Sequence, residues 1–243
     1  MGYILTSDYH THTVFSHGKG TIRDNVTAAR ALGLKEIGIA DHGPMHLEHG
    51  LRMDRVPEMR RIVTELNEEF DDINVYLSIE ANLVYAGNGL DISKEECGLF
   101  DYIIAGYHNG VQGAYSKENW VDYNRGGYNR KLRRENTEMV LKALYENNVK
   151  ILAHPGEKAN IEMAEVAKAC EETGTLIEIN TQHRHPTAAE IEICAKTDAR
   201  FVLSSDAHIP VDVGDVRIAM IRVREAGLDP ERIVNIRYVE DDE

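Results

Sequence analysis

The sequence predicts an α/β fold whose parallel sheet closes into a barrel. Short apolar runs alternate seven times with longer helical stretches along 243 residues. The runs EIGIA, DYIIAGY, KILAH, LIEIN and RFVLSS are apolar throughout, as strands covered on both faces are. Polar residues end nearly every run: His10/His12, Asp41/His42, Glu80/Asn82, His108, His154, Asn180 and Asp206/His208. A closed barrel gathers such ends at one mouth, whereas an open sheet spreads them along an edge.

The strands are expected at 3–10, 36–41, 73–81, 101–107, 150–154, 176–180 and 200–206. A helix over 24–32 stops at Gly33, since glycine takes the left-handed backbone that ends helices without strain. A helix over 57–70 opens with Pro57, whose missing N–H costs nothing in a first turn. Helices over 130–147, 162–173, 187–196 and 214–226 complete the set, the last ending at Gly227. Residues 109–129 are long for a strand-to-helix connection and carry four glycines with Tyr115, Trp120, Tyr123 and Tyr128. They are expected to form either a lid or specificity loop at the mouth, or a self-packed surface loop. With no linker or repeat, residues 1–243 read as one domain.

Composition excludes several classes. Lys+Arg 27 against Asp+Glu 41 gives a net charge of -14, wrong for a protein that coats long nucleic acid. Cys97, Cys170 and Cys194 form no CxxC pair, so neither a disulfide framework nor a thiolate zinc site is expected. A reducing, cytoplasmic location is the expectation. No apolar run reaches spanning length and mean hydropathy is -0.39, so no membrane partner is expected. The first strand leads into His10-Thr11-His12 instead of a glycine-rich phosphate loop, and no G-x-S-x-G nucleophile elbow occurs.

Eleven histidines are the unusual entry in this composition. Asp8, His10 and His12 are spaced i, i+2, i+4, which on a regular strand points all three the same way. Asp206/His208 and Glu80/Asn82 repeat the i, i+2 spacing. Five of the seven strand ends carry a histidine and another carries a glutamate. Histidines clustered with carboxylates in a barrel mouth predict a metal site, and imidazole with carboxylate suits zinc, iron and manganese.

The runs DYHTHT, IADHGP, IEAN, IIAGYH, AHPG, EIN and SSDAH, in that order from about residue 8 to 208, resemble the PHP (polymerase and histidinol phosphatase) family. They look most like its short stand-alone bacterial phosphatases. The resemblance implies a distorted (β/α)7 TIM-like barrel, with a trinuclear metal centre at the C-terminal ends of the strands. The cofactors implied are three divalent ions, zinc first, with manganese or iron as alternatives. Carried over by motif, His10, His12, Glu80 and Asp206 would hold the first ion. Glu80 would bridge to a second held by His108 and His154. His17, His42 and His208 would hold the third, although the loop before His17 is one residue shorter than the usual pattern.

The implied activity is hydrolysis of a small phosphomonoester by a metal-bound hydroxide. Alternatives are a histidinol-phosphate phosphatase, a PHP exonuclease or phosphodiesterase, and a non-catalytic metal-binding module. Asp8 and Asp41 match the family's flanking aspartates and would orient histidine rings or hold a proton; the alternative for each is strand-end capping. His46, His49, His183 and His185 lie in two loops at the mouth, where they contact substrate or are simply solvated. Arg52 and Arg184, in the same loops, are candidate phosphate clamps through their planar forks. The basic run 125–134 reads as a solvated helix face or as a docking patch for a polyanion. The oligomeric state is left open.

Overall fold

In the computed structural model, which describes residues 2–127 and 129–240, the chain runs through nine strands and eight α-helices among those residues. They are β1 (Gly2–Leu5), β2 (Ser7–Thr11), α1 (Ile22–Ala31), β3 (Glu36–His42), α2 (Val56–Glu69), β4 (Asn74–Asn82), α3 (Lys94–Cys97), β5 (Tyr102–Gly106) and α4 (Ser116–Asn124). There follow α5 (Arg130–Glu146), β6 (Val149–Leu152), α6 (Met163–Thr173), β7 (Leu176–Asn180), α7 (Ala188–Cys194), β8 (Phe201–Ser204), α8 (Arg217–Glu225) and β9 (Ile236–Val239).

Strands β2 to β8 form one parallel sheet in sequence order. Its two edges meet at the site end, where Thr11 bridges Ala207 and the His12 N–H donates to Ala207 O at 2.8 Å. The result is a nearly closed seven-stranded barrel with helices between the strands, as expected. Alternation along each strand sorts the side chains. Ile37, Ile39, Leu77, Ile79, Ile177 and Ile179 join the large apolar layer beneath the helices. A smaller cluster of Ala40, Tyr102, Ile104, Ile151, Ala153 and Val202 fills the barrel interior. Gly38 is required there, because a Cβ would strike Tyr102 Oη and the Tyr9 carbonyl, which are themselves hydrogen-bonded at 2.6 Å.

The expected first strand, 3–10, is in fact two. Residues of β1 leave the barrel and pair antiparallel with β9, a strand with no sequence signal beyond four half-exposed residues. Only β2 enters the barrel, and its register slips between Asp8 and Thr11 in a bulge. A bulge inserts one extra residue and breaks strict alternation.

The long connection 109–129 contains α4 and is anchored on α5. Asn119 Nδ2 donates to Tyr107 Oη and to Asn136 Oδ1, both at 3.0 Å, and Tyr107 Oη donates to Ala114 O at 2.9 Å. Its first residue, Asn109, lines the cavity at the mouth; Tyr128 lies outside the described residues. Three of the five basic residues in the run 125–134 are ion-paired on α5: Arg133 with Glu162, Arg134 with Glu138 and Glu165, and Lys131 with Glu135.

Candidate metal centre

The barrel delivers its strand ends to one place. Glu80, at the end of β4, is buried at the centre, and its two carboxylate oxygens face different histidines. Oε1 lies 2.9 Å from His154 Nε2 and 3.2 Å from His108 Nε2. Oε2 lies 2.8 Å from His42 Nδ1, 3.4 Å from His10 Nε2 and 3.6 Å from His12 Nε2. Gly106 makes room for this carboxylate, since a Cβ there would sit 2.4 Å from Glu80 Oε1. Asp206 Oδ1 is 2.9 Å from His12 Nε2 and 3.6 Å from His10 Nε2. His154 and Asp206 both hold positive φ, at 30° and 53°. Such strain costs about 1–3 kcal/mol per residue and collects at functional sites.

Several of these atoms crowd against one another. The Nε2 atoms of His10 and His12 are 3.1 Å apart. His42 Nδ1 and Glu80 Oε2 are 2.8 Å apart, yet neither makes a hydrogen bond. His12 Nδ1, His17 Nδ1, His154 Nδ1 and Asp206 Oδ1 are also buried without partners. Orphaned buried lone pairs cost about 1–3 kcal/mol each, and a cation satisfies many at once. The donor set therefore fits divalent metal. Four groups have ligand atoms within 4.8 Å of one another: His10/His12/Asp206, His42/Glu80/His108, His12/His42/His208 and His154/His183/Asp206.

Electrostatics prepare the ligands. Burial, helped by His208 and His42, pushes His17 down to about 3, and burial pushes His108 to about 3 against the pull of Glu80. Both are neutral at pH 7, the form that binds metal. Burial opposes the charge on Glu80 and Asp206, but the surrounding histidines outweigh it and hold both carboxylates well below their ordinary values. His10 goes the other way. Burial pulls its pKa down, while Asp206, Glu178 and Glu80 together hold it well above 6.5.

The PHP domain description matches residues 8–182. The chain belongs to the PHP domain family. A protein of Shewanella sediminis named "Probable phosphatase" is 28% identical over 97% of this chain and 90% of its own length. "Probable phosphatase YcdX" of Escherichia coli K12 is 28% identical over 94% of this chain and 89% of its own. Among solved structures, the histidinol phosphate phosphatase of Lactococcus lactis, complexed with zinc, L-histidinol and phosphate, superposes with a TM-score of 0.60. It is 20% identical and covers 93% of this chain and 95% of its own, a likeness of fold.

Against this PHP frame, the expected residues divide. His10, His12, His42, Glu80, His108, His154, Asp206 and His208 converge as described. His17 packs its ring 4.2 Å from that of His208 and 4.8 Å from that of His42, but its nitrogens join none of the four groups. Asp8 and Asp41 contact no histidine ring among the described residues. Asp8, taken out of phase with His10 by the bulge, accepts from Ser205 and from Gly214 N–H. Asp41 accepts from Thr13 N–H at 2.8 Å and Thr13 Oγ1 at 2.6 Å, so it pins the turn that presents His17. Strand-end capping describes both better than ring orientation.

The two arginines stand apart from the cavity. Arg52 is exposed and engaged with Asp54 at 2.6 Å, and Arg184 is exposed and outside the cavity wall. The cavity over the centre, about 400 Å³, is lined by Lys158 as its one Lys or Arg side chain, together with His46, Asn109 and His183. His46 and His49 reach the mouth as well: His46 stacks 5.3 Å from His42 and His49 4.4 Å from His17. His185 turns away to Glu190 at 2.8 Å.

Sequence reasoning missed Glu178. It lies fully buried on β7, with Oε1 2.7 Å from His10 Nδ1 and Oε2 accepting from His154 N–H and Asn180 Nδ2, both at 2.9 Å. The available signal was a glutamate two residues before Asn180 in an otherwise apolar strand.

Proposed function

We propose that this PHP-family phosphatase hydrolyses a small phosphomonoester with three divalent cations, zinc first and manganese or iron as substitutes. The observation that carries it is the two-sided Glu80 carboxylate, each oxygen facing a different set of histidine nitrogens. Bound cations would polarise phosphoryl oxygens and lower the pKa of water to near neutral.

The chain's own residues do the rest. His10, His12, Glu80 and Asp206 would hold the first cation; Glu80, His108 and His154 the second; and His42 and His208, with His17 alongside, the third. Glu178 fixes the His10 ring by taking its Nδ1–H, which leaves Nε2 free to bind. Asn82 Oδ1 does the same for His108 Nδ1 at 2.8 Å. Lys158 brings a positive charge to the cavity, where it would meet a phosphate oxygen. The cavity suits a small ester, and Arg133 and Arg134 of the basic run are engaged by Glu162, Glu138 and Glu165. Residues 1–243 work as one domain, because strand ends from β2 to β8 share the site. No helix among the described residues is long and apolar enough to cross a membrane. Three free cysteines suit the cytoplasm.

The test is a panel of phosphomonoesters, covering sugar phosphates, nucleotides and histidinol phosphate, with purified protein supplied with zinc or manganese. Hydrolysis of a member of the panel, abolished in His12→Ala, supports the proposal. A wild type inert on the whole panel, or indistinguishable from His12→Ala, overturns it.

A further inference from the structure

His183 does not belong to the ligand set that the family resemblance carries over, and a histidine in a connecting loop is ordinarily solvated. Here its Nε2 lies 3.3 Å from Asp206 Oδ2, and its ring centre lies 4.3 Å from that of His154. Its side chain is 20% exposed. Beside it His154 Nδ1 is buried without a partner. The three side chains form a group able to hold one ion, distinct in membership from the other three.

The loop that carries His183 is fixed by three residues. Asn180 Oδ1 accepts from the N–H groups of Gln182 and His183 at 2.8 and 3.1 Å. Glu157 Oε2 accepts from the N–H groups of Arg184 and His185 at 3.0 and 3.2 Å. The buried Arg222 guanidinium on α8 donates to the carbonyls of Asn180, Arg184 and Pro186. Glu157 Oε2 also stands 4.0 Å from His183 Nδ1, on the far side of the ring from Asp206. A carboxylate behind one ring nitrogen with the other facing the centre is how metal-binding histidines are oriented.

We propose that His183 is a tenth protein ligand, donating Nε2 to the cation held by Asp206, beside His154. This rests on the reading of the cluster as a metal centre. It closes the centre on the β7 side, where Asp206 Oδ2 faces His183 Nε2 and accepts from Asn180 Nδ2 at 3.1 Å.

The test compares wild type, His183→Ala, His183→Gln and His185→Ala. Metal content is measured by elemental analysis, zinc affinity by calorimetric titration of stripped protein, and coordination by the visible spectrum of the cobalt(II) form. Glutamine can still donate a hydrogen bond to Asp206 but is a poor ligand for zinc or cobalt. Both His183 variants should lose one ion or bind it roughly 10–100-fold more weakly, with an altered cobalt spectrum, while His185→Ala matches wild type. Wild-type stoichiometry, affinity and spectrum in His183→Ala would overturn the proposal. So would full recovery in His183→Gln, which would assign the residue a hydrogen-bonding role. A wild type that binds no metal would overturn the metal-centre reading itself, and that arm separates the two failures.

Discussion

His10 Nδ1 sits 2.7 Å from Glu178 Oε1, with both side chains fully shielded from solvent. The same carboxylate accepts from His154 N–H and from Asn180 Nδ2. One buried acid on β7 thus sets the orientation of residues from β2 and from the end of β6.

Glu178→Gln is nearly isosteric but has one acceptor oxygen and an NH₂ group. It must give up either His10 or the His154 and Asn180 pair. Metal affinity and kcat/KM should each fall roughly 10–100-fold, the range for losing a group that orients a metal ligand. Circular dichroism should show the fold retained. An enzyme of wild-type activity would remove Glu178 from the site.

Stripping the metal should lower the thermal midpoint as well as abolish activity. The unpartnered atoms of His12, Glu80 and Asp206 then stay buried and unsatisfied. A site held at a thousand times its Kd is stabilised by about 4 kcal/mol. Calorimetry before and after chelation, and after returning zinc, checks this. An unchanged midpoint in protein shown to be metal-free counts against it.

Lys158→Ala should raise KM roughly 10–150-fold, by removing a charged hydrogen bond to phosphate worth about 1.5–3 kcal/mol. Arg52→Ala and Arg184→Ala should stay within about twofold of wild type, because Arg52 is engaged by Asp54 and Arg184 stands outside the cavity. Steady-state kinetics on the best substrate of the panel decides among the three. The reverse ranking would restore the arginines as clamps.

Tyr107 sets an alkaline limit. Burial raises its phenol to about 12, against a small opposing pull from Asn119. A raised phenol favours the protonated fold. Its contribution is complete below about pH 10, the ordinary tyrosine value, and is lost as pH rises toward about 12. Deprotonation removes the donor to Ala114 O, so the α4 segment should loosen in that window. Ultraviolet titration and denaturant melts from pH 9 to about 12.5 should show a late-titrating tyrosine and falling stability. In Tyr107→Phe the late-titrating signal should shrink by one tyrosine, because burial also raises Tyr9 and Tyr102.

The sequence by itself determined the strand-and-helix order and the ligand types at the strand ends. Both are local properties: an apolar run reports a strand covered on both faces, and its last residues report the mouth. That is why Glu80, His108, His154 and Asp206 were legible. What the period of two could not see was the bulge in β2. One extra residue between Asp8 and Thr11 turns Asp8 away from the histidines and leaves it holding Ser205 and Gly214. Only the tertiary structure decided the parts built from distant residues. Glu178 meets a histidine 168 positions away, and the His183 loop is pinned by Glu157 and by Arg222, which lies 36–42 positions beyond the carbonyls it holds. Whether a loop histidine or arginine faces the cavity or the solvent depends on such anchors. They arise from packing across the barrel, which no local pattern encodes.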